Sequence, residues 1–157
     1  MYLVPVEFFV TSASAVSKVS DLNAFDKALI EMGIGEQNLV AVSSVIPNGA
    51  KEIDITDIPM GAVTHCVLSQ IRDHGKETIS AGIAYAFRKD GNGGYVAEGR
   101  MHSSEDALRE SLKDKMNEIA FSRGVELNEI KYVTEELTVP EGEHGACVAA
   151  LVFTRYG

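Results

Sequence analysis

TISAGIAYAFRKDGNGGYVAEGRM, Thr78 to Met101, is the stretch whose reading decides the fold. Two runs rich in small, β-branched and aromatic residues, Thr78 to Phe87 and Tyr95 to Met101, flank Asp90-Gly91-Asn92-Gly93-Gly94. Gly and Asn reach a left-handed backbone at little cost, so this segment is the strongest hairpin signal in the chain. A chain that doubles back through a short turn pairs its strands antiparallel.

Working outward, the same alternation of apolar runs and turn residues continues. Toward the N-terminus, Val63 to Ile71 reads as a strand with a turn at Asp73-His74-Gly75, and Asn38 to Ile46 as another, ended by Pro47-Asn48-Gly49. The first ten residues carry Val, Phe and Tyr and read as a strand, with Pro5 near an edge. Thr11 to Ser20 is rich in serine and reads as a loop. Asp21 can cap a helix in which Leu22, Phe25, Leu29 and Met32 recur at helical spacing before Gly33 stops it. Toward the C-terminus, Ser103 or Ser104 caps a longer helix with the stripe Leu108, Leu112, Met116, Ile119 and Ala120, closed by Gly124. Ile130 to Val139 and Ala146 to Tyr156 complete the strands. Two helices and about seven strands joined mostly by short turns favour an α+β fold with antiparallel sheets over a parallel doubly wound sheet.

Composition narrows the function classes. At 157 residues the chain is expected to be a single domain, residues 1–157, able to bury a core without staples. Hydrophobic residues make up 45% and charged residues 24%, as in soluble proteins, and no apolar run is long enough to span a membrane. The start lacks the basic residues of a secretory leader, so a cytoplasmic location is expected. The net charge of −9, with no basic stripe, argues against nucleic acid as a partner and suits a small cationic substrate. Cys66 and Cys147 sit in apolar runs, read as buried hydrophobes, and show no zinc-binding spacing. His65, His74, His102 and His144 are scattered without ligand spacing, so no metal site is expected. There is no P-loop, no GxGxxG after a strand, no HExxH and no GxSxG.

Ser43-Ser44 stands out, because a pair of hydroxyls inside a strongly apolar strand must find partners or serve a purpose. Alone, the dipeptide reads as two serines at a strand end beside a proline turn, since such pairs are common. Its surroundings add to it. Leu22-Asn23-Ala24-Phe25-Asp26-Lys27-Ala28-Leu29, Met32-Gly33-Ile34-Gly35, Asn38-Leu39, Val42-Ser43-Ser44-Val45-Ile46-Pro47, Ile58-Pro59-Met60-Gly61-Ala62 and Glu77-Thr78-Ile79-Ser80-Ala81 occur in that order. In this ordered combination the chain resembles the pyruvoyl-dependent arginine decarboxylases.

The resemblance implies a self-cleaving proenzyme. The bond between Ser43 and Ser44 would break, leaving residues 1–43 (β chain) and 44–157 (α chain), with a covalent pyruvoyl group made from Ser44 in place of pyridoxal phosphate or a metal. The chemistry requires serine at the second position: its hydroxyl attacks the preceding carbonyl, and the resulting ester leaves by β-elimination. Asn38 aligns with an asparagine that assists this processing; read from the residues alone it is equally a strand-entry residue in a turn. Glu98 aligns with the general acid that reprotonates the decarboxylated centre, and its apolar strand context makes burial, and hence a raised pKa, the expectation. Asp26 aligns with the carboxylate that grips the substrate guanidinium, and Gly33 and Gly35 with residues where backbone approaches substrate. The implied reaction turns L-arginine into agmatine and CO2 through a Schiff base, in polyamine synthesis or acid resistance. The implied fold is a four-layer α/β/β/α sandwich with antiparallel sheets, assembled as a homotrimer with active sites at subunit interfaces. Two other readings fit the residues: a pyruvoyl enzyme for another amino acid, and a non-cleaving homologue that binds a cationic ligand.

Overall fold

In chain order the computed structural model, which describes residues 1–157, contains β1 (Pro5–Ser17), α1 (Asp21–Glu31), β2 (Asn38–Ala41), β3 (Val45–Ile46), β4 (Lys51–Glu52), β5 (Val63–His74), β6 (Thr78–Phe87), β7 (Gly94–Met101), α2 (Glu105–Arg123), β8 (Lys131–Thr138) and β9 (His144–Tyr156). One sheet has the order β2-β5-β9-β1-β4 and the other β3-β7-β6-β8. The second sheet is antiparallel throughout; the first has an antiparallel centre and a parallel pair at each edge, β2 with β5 and β4 with β1.

The layers follow from the period of two along β9, whose successive side chains point to opposite faces. Ala146, Val148, Ala150 and Val152 join Phe9 and Ala13 of β1 against Ala24 and Ala28 of α1. Ala149, Leu151 and Phe153 face the other way, into an inter-sheet core with Phe8, Val67, Ile83, Tyr85 and Val96. On the far side of the second sheet, Ala84, Ala86, Tyr95 and Ala97 meet Leu108, Leu112 and Met116 of α2. The result is the helix–sheet–sheet–helix sandwich that the resemblance implied.

Three local expectations are corrected. Thr11 to Ser17 is strand rather than loop, because every residue from Glu7 through Ser17 finds a partner on β9, which overrides the weak strand propensity of serine. Helix α1 is capped by Ser20, whose hydroxyl accepts from the Asn23 N–H at 3.1 Å, rather than by Asp21. Its buried face is Ala24, Ala28 and Met32, while Leu22 is 61% exposed; small alanines let the helix sit close on the alanine-rich face of β9. Finally, Asn38 to Ile46 is not one strand. It breaks at Val42–Ser44, between β2 in the first sheet and β3 in the second. The longer helix follows the reading from sequence: Ser104 caps it, and Gly124 closes it in a left-handed conformation.

Candidate active site

The break at Val42–Ser44 is where the chain crosses between sheets. On one side the Val42 N–H donates to the Cys66 carbonyl of β5 at 2.9 Å. On the other, the Ser44 carbonyl accepts from the Val96 N–H of β7 at 2.9 Å. The Ser43–Ser44 bond therefore spans a gap whose two banks each hold one end of it. Ser43 is exposed and Ser44 half-buried.

Because β3 pairs only with Gly94 and Tyr95, the edge of β7 beyond Val96 has no neighbouring strand. The space between the sheets opens there into a cavity of ≈ 490 Å³. Ser43, Ser44, Val67 and Glu98 line its sheet side; Lys115, Glu118, Ser122 and Arg123 line the side made by α2. Glu98 shares the face of Val96, which is fully buried, yet is itself exposed in the single chain. The expected burial of Glu98 is thus not met within one chain, and the missing strand beside β7 is the reason. The Lys115 ammonium donates to the Glu98 carbonyl at 2.9 Å, capping part of that bare edge.

The remaining expected site residues lie elsewhere. Asn38 opens β2, four residues and about 13 Å along the strand from the start of the crossing at Val42. Its side-chain amide donates to the Gly61 carbonyl at 2.9 Å. Asp26 is exposed on α1. Gly33 and Gly35 border a separate hollow of ≈ 300 Å³ with Ile30, Gln37, Asp57 and Met60. Gly33 has φ +83°, the left-handed exit from α1. A Cβ on Gly35 would come within 2.8 Å of the Ile30 Cα, so that glycine is required by the fold itself. One chain brings Ser43, Ser44 and Glu98 together and keeps Asn38, Asp26, Gly33 and Gly35 on another part of its surface.

A second cavity of ≈ 340 Å³ lies behind Ser43, lined mainly by apolar residues together with His65 and Tyr156, whose ring nitrogen Nδ1 and hydroxyl are hydrogen-bonded. Cys66 and Cys147 are free and buried, as expected. Burial, with the Glu98 charge adding to it, pushes the Cys66 thiol up to about 11, so it is neutral beside the site rather than nucleophilic. The α2 wall was not singled out from the sequence, since Lys115, Glu118 and Ser122 read as the solvated face of an amphipathic helix. The signal available was their spacing of three and four residues beside the apolar stripe.

A strand-crossing serine pair and a carboxylate face one cavity, a set of groups capable of chemistry, and comparison with known proteins places the chain in a class of enzymes. The family model described as "Pyruvoyl-dependent arginine decarboxylase (PvlArgDC)" matches residues 7–157. A pyruvoyl-dependent arginine decarboxylase of Pyrococcus furiosus is 37% identical over 147 residues, covering 92% of each chain. One from Methanopyrus kandleri is 34% identical over 150 residues, covering 96% of this chain and 97% of the relative. The chain belongs to the pyruvoyl-dependent arginine decarboxylase family.

Proposed function

We propose that the chain cuts itself between Ser43 and Ser44 and, once matured, decarboxylates L-arginine to agmatine. The observation that carries this reading is the crossing: the bond to be cut is held from both sheets and lies in a cavity with Glu98. Atoms balance as follows. The Ser44 hydroxyl attacks the Ser43 carbonyl and the amide becomes an ester; β-elimination then releases a Ser43 carboxylate that keeps the Ser44 oxygen. The dehydroalanine left at position 44 tautomerises and takes up one water, giving the pyruvoyl ketone and ammonia. The residues present fit that group, since position 44 already faces the cavity and needs neither pyridoxal phosphate nor a metal. The pyruvoyl group, once formed from Ser44, would supply an electrophilic ketone for the substrate amine and a sink for the electrons released with CO2.

The chain's own residues divide the remaining work. Glu98 delivers a proton at the decarboxylated carbon. Its exposure in one chain makes a neighbouring subunit the source of the burial that a proton donor at neutral pH requires. The same assembly, a homotrimer, accounts for the separation of the site residues: Asp26, Gly33, Gly35 and Asn38 of one copy would complete the cavity of the next. Asp26 then pairs with the substrate guanidinium, and Asn38 supports processing. Supporting the assembly, β2 is a bare sheet edge, and Val40, Val45 and Val63 around it are 41%, 53% and 63% exposed. No helix is long and apolar enough to cross a membrane. The two buried free thiols are compatible with a cytoplasmic location.

Intact mass measurement tests the cut: fragments 1–43 and 44–157 are expected. CO2 release across arginine, ornithine, lysine and histidine tests the substrate. Persistently uncut protein with full activity would overturn the reading, and preference for another amino acid would remove the role of Asp26.

A further inference from the structure

Cleavage at Ser43 leaves a new anion in a cavity that already holds charged side chains: Glu98 from β7 and Lys115, Glu118 and Arg123 from α2, with His65 of β5 in the hollow behind. The Val42 N–H bond to Cys66 keeps Ser43 at this place after the cut. Lys115 gives one N–H to the Glu98 carbonyl at the bare edge of β7, and His65 bonds to Tyr156. Arg123 brings a planar fork of donors rather than a point charge. Its guanidinium lies 4.7 Å from the Tyr95 ring centroid and gives one N–H to the Ile119 carbonyl. None of the chain's ion pairs includes it or Lys115, so the shape of the group decides between the two. A guanidinium has five N–H donors in a planar fork that suits a carboxylate, and its contact with the Tyr95 ring holds the group at the cavity wall.

We propose that Arg123 is the counter-ion of the Ser43 carboxylate, a positioning residue that ties the new C-terminus to α2 and keeps it away from the reacting ketone. The substrate carboxylate is a poorer occupant, because a strong pair in the ground state would oppose its departure as CO2. This proposal rests on the self-cleavage reading.

The test compares Arg123→Met in two backgrounds, the matured protein and the uncut Ser44→Ala form. Loss of Tyr95 stacking affects both, whereas the ion pair exists only in the first. The expected result is a fall in Tm about 2–4 °C larger in the matured background, with Arg123→Lys recovering part of it. Carbonyl-labelled serine gives a second readout that does not depend on melting, since Ser43 is the one serine that ends in a titrating carboxylate. Its pKa is expected below the ordinary α-carboxyl range of about 3.3–3.7 and to return to that range in Arg123→Met. Equal Tm losses in both backgrounds with an unchanged titration overturn the proposal. So does a raised KM for arginine in Arg123→Met with no matured-specific Tm loss, which would hand the guanidinium to the substrate. A wild-type preparation that mass measurement shows uncut removes the carboxylate itself, and is thereby distinguished as failure of the cleavage reading.

Discussion

Ser44 is asked to be first nucleophile and then leaving group, and these demands separate its substitutions. Ser44→Ala is expected to give a single uncut chain with no turnover. Ser44→Cys and Ser44→Thr keep a heteroatom on Cβ, so they are expected to cut yet yield less, or an altered, prosthetic group; intact mass and borohydride labelling of the ketone distinguish the cases. Glu98→Gln is expected to mature normally and to lose about 10²–10⁴-fold in kcat, the usual worth of a placed proton donor. Full activity in that variant removes Glu98 from the chemistry. The buried thiols predict an alkaline effect. Burial raises Cys66 from 9.0 to about 11 and Cys147 from 9.0 to about 12, so both favour the folded state as neutral thiols. Their contribution is complete below pH 9 and is lost as pH climbs through those raised values. Urea titrations should show stability falling across that window, with a shallower slope in the Cys66→Ala, Cys147→Ala variant; identical slopes would contradict the assignment.

Among the elements, α2 was the most legible in the sequence. Its cap, stripe and closing glycine are local signals, and Leu108, Leu112 and Met116 are fully buried where the period of 3.6 places them. Leu112→Ala is expected to cost about 2–5 kcal/mol of stability in denaturant melts. A helix that walls the cavity also holds its cations, so turnover should fall with it. The β2–β3 break was illegible for a physical reason: Leu39 to Ile46 is continuously apolar apart from the two serines, and nothing local says that its halves belong to different sheets. Strand β1 was misread in the opposite sense, because pairing with β9, more than a hundred residues away, determines its length. Gly82 lies opposite Gly99 on neighbouring strands beneath Leu108, and a Cβ on Gly82 would stand 2.9 Å from the Val133 carbonyl. Gly82→Ala should therefore cost about 1–3 kcal/mol by overpacking.

For the molecule as a whole, the site residues that the resemblance implies are split between two separate regions, Ser43, Ser44 and Glu98 in one and Gly33 and Gly35 in another, which is why the resemblance could name them and the sequence could not assemble them. If copies of the chain complete each other's cavities, Val63→Asp, at a position 63% exposed, should leave the monomer folded and abolish the trimer in sedimentation. Each copy carries a net charge of −9, so assembly should strengthen as salt rises from low ionic strength. A dimer or monomer unaffected by either change would contradict the shared-site reading.

The frame of the first sheet is the pairing of β1 with β9, two strands of 13 residues each. Under the proposed cut these strands belong to separate polypeptides, yet β1 remains held between β9 and β4 of the other fragment. Refolding of the matured material then becomes a second-order encounter, weakening with dilution, whereas the newborn chain closes the same pairing as an intramolecular event. Denaturation of the matured form at low concentration is therefore expected to be a one-way loss, and its endurance in a cell is governed by how slowly it opens rather than by how readily it reforms.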